Sequence, residues 1–216
     1  MKIAVLGTGM VGQAIGSRLA ELGHEVRMGS RTAGNPKAVE WAKQAQGASE
    51  GSFADAASFG EIVFNCTSGS ASLAALAAAG ADNLAGKVLV DVANPLDFSQ
   101  GMPPTLSVCN TDSLGEQIQR AFPEARVVKA LNTMNCNIMV HPDQVGHGEH
   151  HTFLSGNDAD AKQTVKALLQ SFGWQDAFVL DLGDISTARG TEAWLPLWLR
   201  IWGATGSGSF NLRIVN

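Results

Sequence analysis

Short apolar runs alternate along this chain with stretches whose apolar residues recur every three or four positions. The run KIAVL at 2–6 ends in a glycine turn and reads as a strand buried on both faces. Val11, Ile15, Leu19 and Leu22 then recur at helical spacing, and Gly23 supplies a stop. EVRM is the second strand. Asn35 is a cap followed by Pro36 at the first helical position, which predicts a helix to about residue 46. EIVFN (61–65) and KVLVDV (87–92) are further strands, with an alanine-rich helix at 72–79 between them. Ser113 and Glu116 form a capping box for a helix that Pro123 ends, and RVVKAL (126–131) is another strand. HTFLSG, a helix over 158–172 (Ala161, Val165, Leu168, Leu169 and Phe172 on one face) and AFVLDL continue the beat.

The alternation of strand and helix predicts an α/β fold: a parallel, doubly wound Rossmann-type sheet with a small C-terminal helical extension. The pattern changes after AFVLDL, so the expected organisation is a sheet domain over 1–183 and an extension over 184–216. Within the extension, 185–202 reads as one helix bent at Pro196 and carrying Trp194, Trp198 and Trp202. Residues 203–209 read as a flexible turn, and 210–215 as a final strand. The stripe of three tryptophans is expected to be buried in the core or in an interface, and its start to close the pocket.

Composition narrows the classes. The 216 residues carry a net charge of -5, which gives no sign of nucleic-acid binding. No apolar run is long enough to cross a membrane, and glycines interrupt the apolar start, so a signal peptide is not expected. The three cysteines, Cys66, Cys109 and Cys136, form no CxxC pair, which fits a reducing, cytoplasmic setting.

The first chemistry-bearing motif is GTGMVG, residues 7–12. It fits G-x-G-x-x-G in the required context, after a strand and opening a helix. Gly7 permits the tight turn, Gly9 lets backbone approach a pyrophosphate, and Gly12 lets helix and strand pack closely. Free N–H groups near Met10 and Val11 then face the phosphates. At the end of the second strand, where NAD-binding chains often place an acidic residue, this chain reads Gly29-Ser30-Arg31-Thr32. A carboxylate there would repel a 2′-phosphate, whereas the Arg31 guanidinium can grip one, with Ser30, Thr32 and Thr8 adding hydroxyls. NADP(H) is therefore the expected coenzyme.

The start MKIAVLGTGMVGQAIGSRLAELGHEVRMGSR resembles the NADPH-dependent reductases of the deazaflavin coenzyme F420. GKVLVDVANP (86–95), ARVVKALNTM (125–134) and LDLGDISTARGTEAWLPL (180–197) also resemble that family. They are equally similar to the cytosolic NADPH-binding domain of the six-transmembrane ferric reductases. The resemblance implies that the nicotinamide lies at the C-terminal strand edge, against Cys66, Thr67 and Ser68, Asn94 and Pro95, and Asn132, Thr133 and Met134. It implies a second substrate such as coenzyme F420, FMN or FAD, with Ser186, Thr187 and Arg189 in the wall over it. The segment 134–139 (MNCNIM) matches no fixed pattern of the family.

Other signals carry less. His141, His147, His150 and His151 cluster in one segment, but HxxHH in a glycine-containing loop is no established metal motif, so a polar surface loop is expected and no metal. Cys136 reads as a buried structural thiol. No Ser-His-Asp order, paired-carboxylate signature or lysine motif appears, so no catalytic acid or base is expected. Three readings follow: hydride exchange between NADP(H) and a deazaflavin or flavin, reduction of a small carbonyl or imine, and a non-enzymatic NADPH-sensing module. A small-molecule redox acceptor and a homodimer using the C-terminal region are expected.

Overall fold

The computed structural model describes residues 1–215. The chain begins β1 (Lys2–Leu6), α1 (Met10–Glu21), β2 (Glu25–Ser30), α2 (Pro36–Gln44), β3 (Ala48–Ser52), α3 (Phe53–Phe59) and β4 (Ile62–Asn65). It continues through α4 (Ser72–Ala79), α5 (Ala81–Leu84), β5 (Val88–Asp91), a two-residue hairpin of β6 (Leu96–Asp97) and β7 (Thr105–Leu106), α6 (Leu114–Ala121) and β8 (Arg126–Ala130). Then follow α7 (Cys136–Val140), β9 (Thr152–Ser155), α8 (Ala159–Phe172), β10 (Val179–Asp181), α9 (Ala188–Ala193) and α10 (Leu195–Thr205).

Eight strands form one sheet in the order β10-β9-β8-β5-β4-β1-β2-β3. Helices cover both faces, which explains why the central strands are apolar throughout: Ile3, Ala4, Val5 and Leu6 are all fully buried, as are Val63 and Phe64. The chain reverses direction across the sheet between β1 and β4, so their carboxyl ends open a crevice at the topological switch point. The predicted Rossmann-type sheet is present but mostly, not wholly, parallel. β9 runs antiparallel to β8 because the connection between them holds only the short α7 and two 3-10 turns rather than a full crossover helix.

Two predicted helices match closely. α8 buries Ala161, Val165, Leu168, Leu169 and Phe172; Asp158 caps it by accepting from Ala161 N at 2.7 Å, and left-handed Gly173 ends it. Asn35 caps α2 with Pro36 in the first turn. The predicted capping box at α6 is half formed. Ser113 Oγ accepts from Glu116 N, but the Glu116 carboxylate takes its hydrogen bonds from Ser113 Oγ and, bidentately, from Arg189 rather than from the Ser113 amide.

The C-terminal extension departs from its prediction. The single bent helix is a capped 3-10 turn at 185–187, then α9 and α10, separated at Trp194. Pro196 sits in the first turn of α10, where its missing N–H costs nothing, so it starts a helix instead of bending one. The expected flexible turn at 203–209 is helical through Thr205 and stops at left-handed Gly206. Trp194 and Trp198 are half-buried but Trp202 is 44% exposed, so the tryptophan stripe does not lie wholly in the core. Residues 210–215 form no strand; Asn216 lies outside the described residues. Their alternation arises because Phe210 stacks on Trp198, Asn211 bonds His150, and Leu212 O accepts from His151 N at 2.8 Å.

No helix among the described residues is long and apolar enough to cross a membrane.

Candidate functional site

The glycine loop links β1 to α1 at the switch point. Gly7 has φ +120°, and a side chain there would strike the Cys66 carbonyl. A Cβ on Gly12 would overlap the carbonyl of Gly7, so helix and loop touch backbone to backbone. Gly9 differs from both. Its φ of -79° suits any residue, and a Cβ would meet nothing within 4 Å. Neither conformation nor packing within the chain calls for glycine there, whereas a ligand approaching that backbone would. The amides of Met10 and Val11 at the start of α1 have no helical partner, so the loop fits a pyrophosphate. Gln13 Nε2 donates to Thr8 O at 3.0 Å and pins the loop.

Three hollows border this loop, and two of them also open onto the loop after β4. The larger, about 480 Å³, is lined by Gly7, Thr8, Gly9, Ser30, Arg31 and Asn35 along one side, with Phe53, Cys66, Thr67 and Ser68 opposite. Arg31 is exposed there and makes no ion pair among the described residues. Ser30 is buried and donates from Oγ to Thr32 O at 2.6 Å, which turns the chain and leaves the guanidinium at the mouth. Thr32 thus contributes its backbone to the turn. Lys37, in the first turn of α2, lines a neighbouring hollow with Thr8, Gly9 and Met10; the sequence reading missed this second cation, although its place after the Asn35-Pro36 cap was legible.

The smaller cleft, about 220 Å³, lies further along the carboxyl edge. Val11, Cys66, Thr67, Ser68 and Gly69 line it with Val92, Ala93 and Asn94, and Leu96, Phe98, Met134 and Met139 complete it. A Cβ on Gly69 would overlap the Asn94 carbonyl, so the β4 and β5 loops are locked together. The β5 and β8 loops are joined by a reciprocal clasp: Asn94 Nδ2 donates to Asn132 O at 2.8 Å, and Asn132 Nδ2 returns a bond to Asn94 Oδ1 at 3.0 Å.

Of the predicted edge residues, Cys66, Thr67, Ser68, Asn94 and Met134 line the cleft directly. Asn132 acts behind it through the clasp. Pro95 is buried and accepts from Ser107 N, holding the hairpin. Thr133 faces a separate apolar hollow with Phe153, Trp194 and Leu197, while its carbonyl accepts from Trp194 Nε1 at 3.0 Å. Ser186, Thr187 and Arg189 line neither cleft: Ser186 bonds Asp184, Thr187 Oγ1 donates to Ser155 Oγ, and Arg189 is held by Glu116.

A buried polar array lies behind the edge, and the sequence reading missed it. Thr67 Oγ1 donates to Asn65 Oδ1 at 2.6 Å, and Asn65 Nδ2 donates to Asp91 Oδ1 at 2.8 Å. Lys129 Nζ reaches Asp91 and Glu192 at 2.7 Å each and Ala93 O at 2.6 Å. Burial works to lower the Lys129 pKa, but the two carboxylates outweigh it and hold the ammonium above its ordinary value. A lysine inside an apolar strand was the signal available.

Among the described residues, the only titratable side chain lining the smaller cleft is Cys66. Burial pushes its thiol up, and the Asp91 carboxylate adds to the shift, so it stays protonated at neutral pH. Cys136, expected to be buried, is half-buried; burial raises its thiol too. The histidine segment is not simply a polar surface loop. His150 is buried, edge-on to Trp174, between Pro142 O and Asn211 Nδ2. Among the described residues no three His, Cys, Asp or Glu side chains are grouped to hold a metal.

Residues 2–95 match the family model described as NADP oxidoreductase, coenzyme F420-dependent. Over 203 residues, 92% of this chain, the sequence is 31% identical to metalloreductase STEAP3 of Rattus norvegicus, and it spans 37% of that protein's length. It is 28% identical over 228 residues to the F420-dependent NADP reductase of Methanothermobacter marburgensis, covering 100% of this chain and 99% of that one. A solved structure from Arthrobacter sp. FB24, described as a candidate F420-dependent NADP reductase, is 56% identical, covers 100% of both chains and superposes with a TM-score of 0.94. Identity at that level over both full lengths shows that the chain belongs to the coenzyme F420-dependent NADP oxidoreductase family and is an NADP-dependent oxidoreductase.

Proposed function

We propose that this protein transfers hydride between NADP(H) and a deazaflavin such as coenzyme F420, or a flavin. The observation that carries this reading is the chemistry of the smaller cleft. It is lined by carbon, amide and hydroxyl groups, and its one titratable side chain is a thiol held neutral. Reduction of a ketone or imine calls for a proton donor beside the substrate. Exchange between two rings needs contact and alignment, with little protic chemistry.

When bound, the coenzyme supplies or accepts the hydride at its nicotinamide ring. The chain's residues bind and orient. The amides of Met10 and Val11, beside Gly9, take the pyrophosphate. Arg31, with Ser30, Thr32 and Thr8 around it, takes the 2′-phosphate. Cys66, Thr67, Ser68, Asn94 and Met134 shape the nicotinamide end by contact and Asn132 through the clasp behind it, while Pro95 supports it from the hairpin and Thr133 from the neighbouring apolar hollow. Gly7 and Gly12 set the loop. Val92, Met134 and Met139 exclude water from the ring's surroundings.

In this reading residues 1–183 form the coenzyme-binding unit, and the extension from 184 onward braces the acceptor side. Leu197 and Trp202 on α10, together with Ile214 and Val215, are exposed and apolar. This supports a homodimer built on the C-terminal region.

Turnover with NADPH against coenzyme F420, FMN and FAD, run beside a panel of small ketones and imines, tests the reading. Activity with a deazaflavin or flavin is expected. Activity confined to the carbonyl and imine panel would replace it, and coenzyme binding without any turnover would leave only the sensing role.

A further inference from the structure

The array of Asp91, Lys129 and Glu192 is more than a structural ion pair. The three side chains are 0%, 1% and 2% exposed, so their charges are little screened by solvent. Their ionisation follows from their partners. Asp91 receives hydrogen bonds from Asn65 Nδ2, Ala93 N and Lys129 Nζ. Glu192 receives them from Leu114 N, Gly115 N and Lys129 Nζ. Every neighbour is a donor, so neither carboxyl has an acceptor for a proton of its own. The three N–H bonds of Lys129 are all used, on Asp91, Glu192 and Ala93 O. The array therefore holds two anions and one cation. The amides opening α6 offset part of the excess at the Glu192 end. At the other end, Asp91 is bonded through Asn65 to Thr67, and it lies two and three residues before Ala93 and Asn94, all of which line the smaller cleft.

We propose that this buried, net-negative array favours the oxidised, cationic form of the bound nicotinamide over its reduced, neutral form, and so biases the enzyme toward giving up hydride from NADPH. The proposal rests on the reading that the smaller cleft holds the nicotinamide. Loss of hydride leaves that ring with one positive charge. A unit charge about 10 Å away, acting through an effective dielectric of about 20, shifts such an equilibrium by about tenfold. Asp91, Lys129 and Glu192 act here as positioning and electrostatic residues. None is placed against a reacting atom.

The test compares two ligands on one protein. Dissociation constants for NADP+ and NADPH are measured by calorimetry on wild type, Glu192→Gln and Asp91→Asn. Each substitution removes one negative charge while keeping an oxygen acceptor. The expected result is a Kd(NADP+)/Kd(NADPH) ratio that rises by roughly threefold or more in the variants. An unchanged ratio, with both affinities falling together or not at all, overturns the proposal, because a merely structural role weakens both ligands alike. Should one variant fail to fold, judged by thermal melting, the other carries the comparison. Wild type that binds neither coenzyme would instead overturn the reading of the cleft itself.

Discussion

Asn94 and Asn132 hold each other by a pair of opposed hydrogen bonds, 2.8 Å and 3.0 Å, across the carboxyl edge of the sheet. The clasp joins the loop after β5 to the loop after β8 behind the smaller cleft. Neither amide can supply a proton to a substrate at neutral pH, so the pair acts on position. Asn94→Ala and Asn132→Ala should each lower turnover by less than the roughly 10²–10⁴-fold that losing a general acid or base costs. Single-turnover rates on the two variants check this. A larger loss in either, with fold and coenzyme affinity intact, would assign that residue a chemical role.

Gly9 and Gly12 should separate ligand demand from fold demand. Gly12→Ala drives a methyl into the Gly7 carbonyl, and overpacking of this kind costs about 1–3 kcal/mol. Gly9→Ala places its methyl in open space and forfeits only a helix-cap preference, about 1 kcal/mol at most. Thermal melting should therefore show a marked fall for Gly12→Ala and a small one for Gly9→Ala. NADPH affinity should nevertheless drop roughly tenfold or more in Gly9→Ala, since the methyl occupies the pyrophosphate's approach. A Gly9→Ala protein with unchanged affinity would remove the phosphate from this loop.

Arg31 should select the phosphorylated coenzyme. A charge-assisted hydrogen bond contributes about 1.5–3 kcal/mol, or about 10- to 100-fold in affinity. Titration should show NADPH bound more tightly than NADH by wild type, and Arg31→Ala should weaken NADPH selectively. Lys37 nearby sets a floor under the effect, so the Arg31→Ala, Lys37→Ala pair should discriminate less than either single variant. Equal affinities for NADPH and NADH in wild type would contradict the assignment.

The exposed face of α10 should be covered by a second copy. Leu197→Glu combined with Trp202→Glu puts two charges on that apolar surface while leaving the sheet untouched. Light scattering should report a dimer for wild type and a monomer for the double variant. A wild type that stays monomeric at every accessible concentration would leave the face without this role.

Sequence made the glycine loop and its place at the switch point legible, because glycines at fixed spacing after a buried strand have few other uses. The single missing carboxylate at Ser30–Arg31 was equally readable. What lay hidden shares a physical cause. β3 is the polar edge strand Ala48–Ser52, with no alternation to mark it, and α3 is short, although the Ser52/Asp55 capping box was there to be seen. The extension misled because Pro196 opens a helix as readily as it bends one. The alternation after Phe210 came from packing on Trp198 and the histidines, not from a ladder. Asp91, Lys129 and Glu192 meet from three elements up to about a hundred residues apart, and no local pattern reports such a meeting.

The central claim is that hydride passes between two aligned rings without a protic side chain. It is tested most directly by single-turnover stopped flow, mixing the NADPH-loaded protein with coenzyme F420 across pH and following reduction of the acceptor. The account predicts rapid reduction, with no ionisation in the profile that disappears on substituting Cys66, Thr67, Asn94 or Asn132. Absence of reduction of F420, FMN and FAD alongside prompt reduction of a ketone or imine would contradict it. So would a titration that one of those four substitutions abolishes.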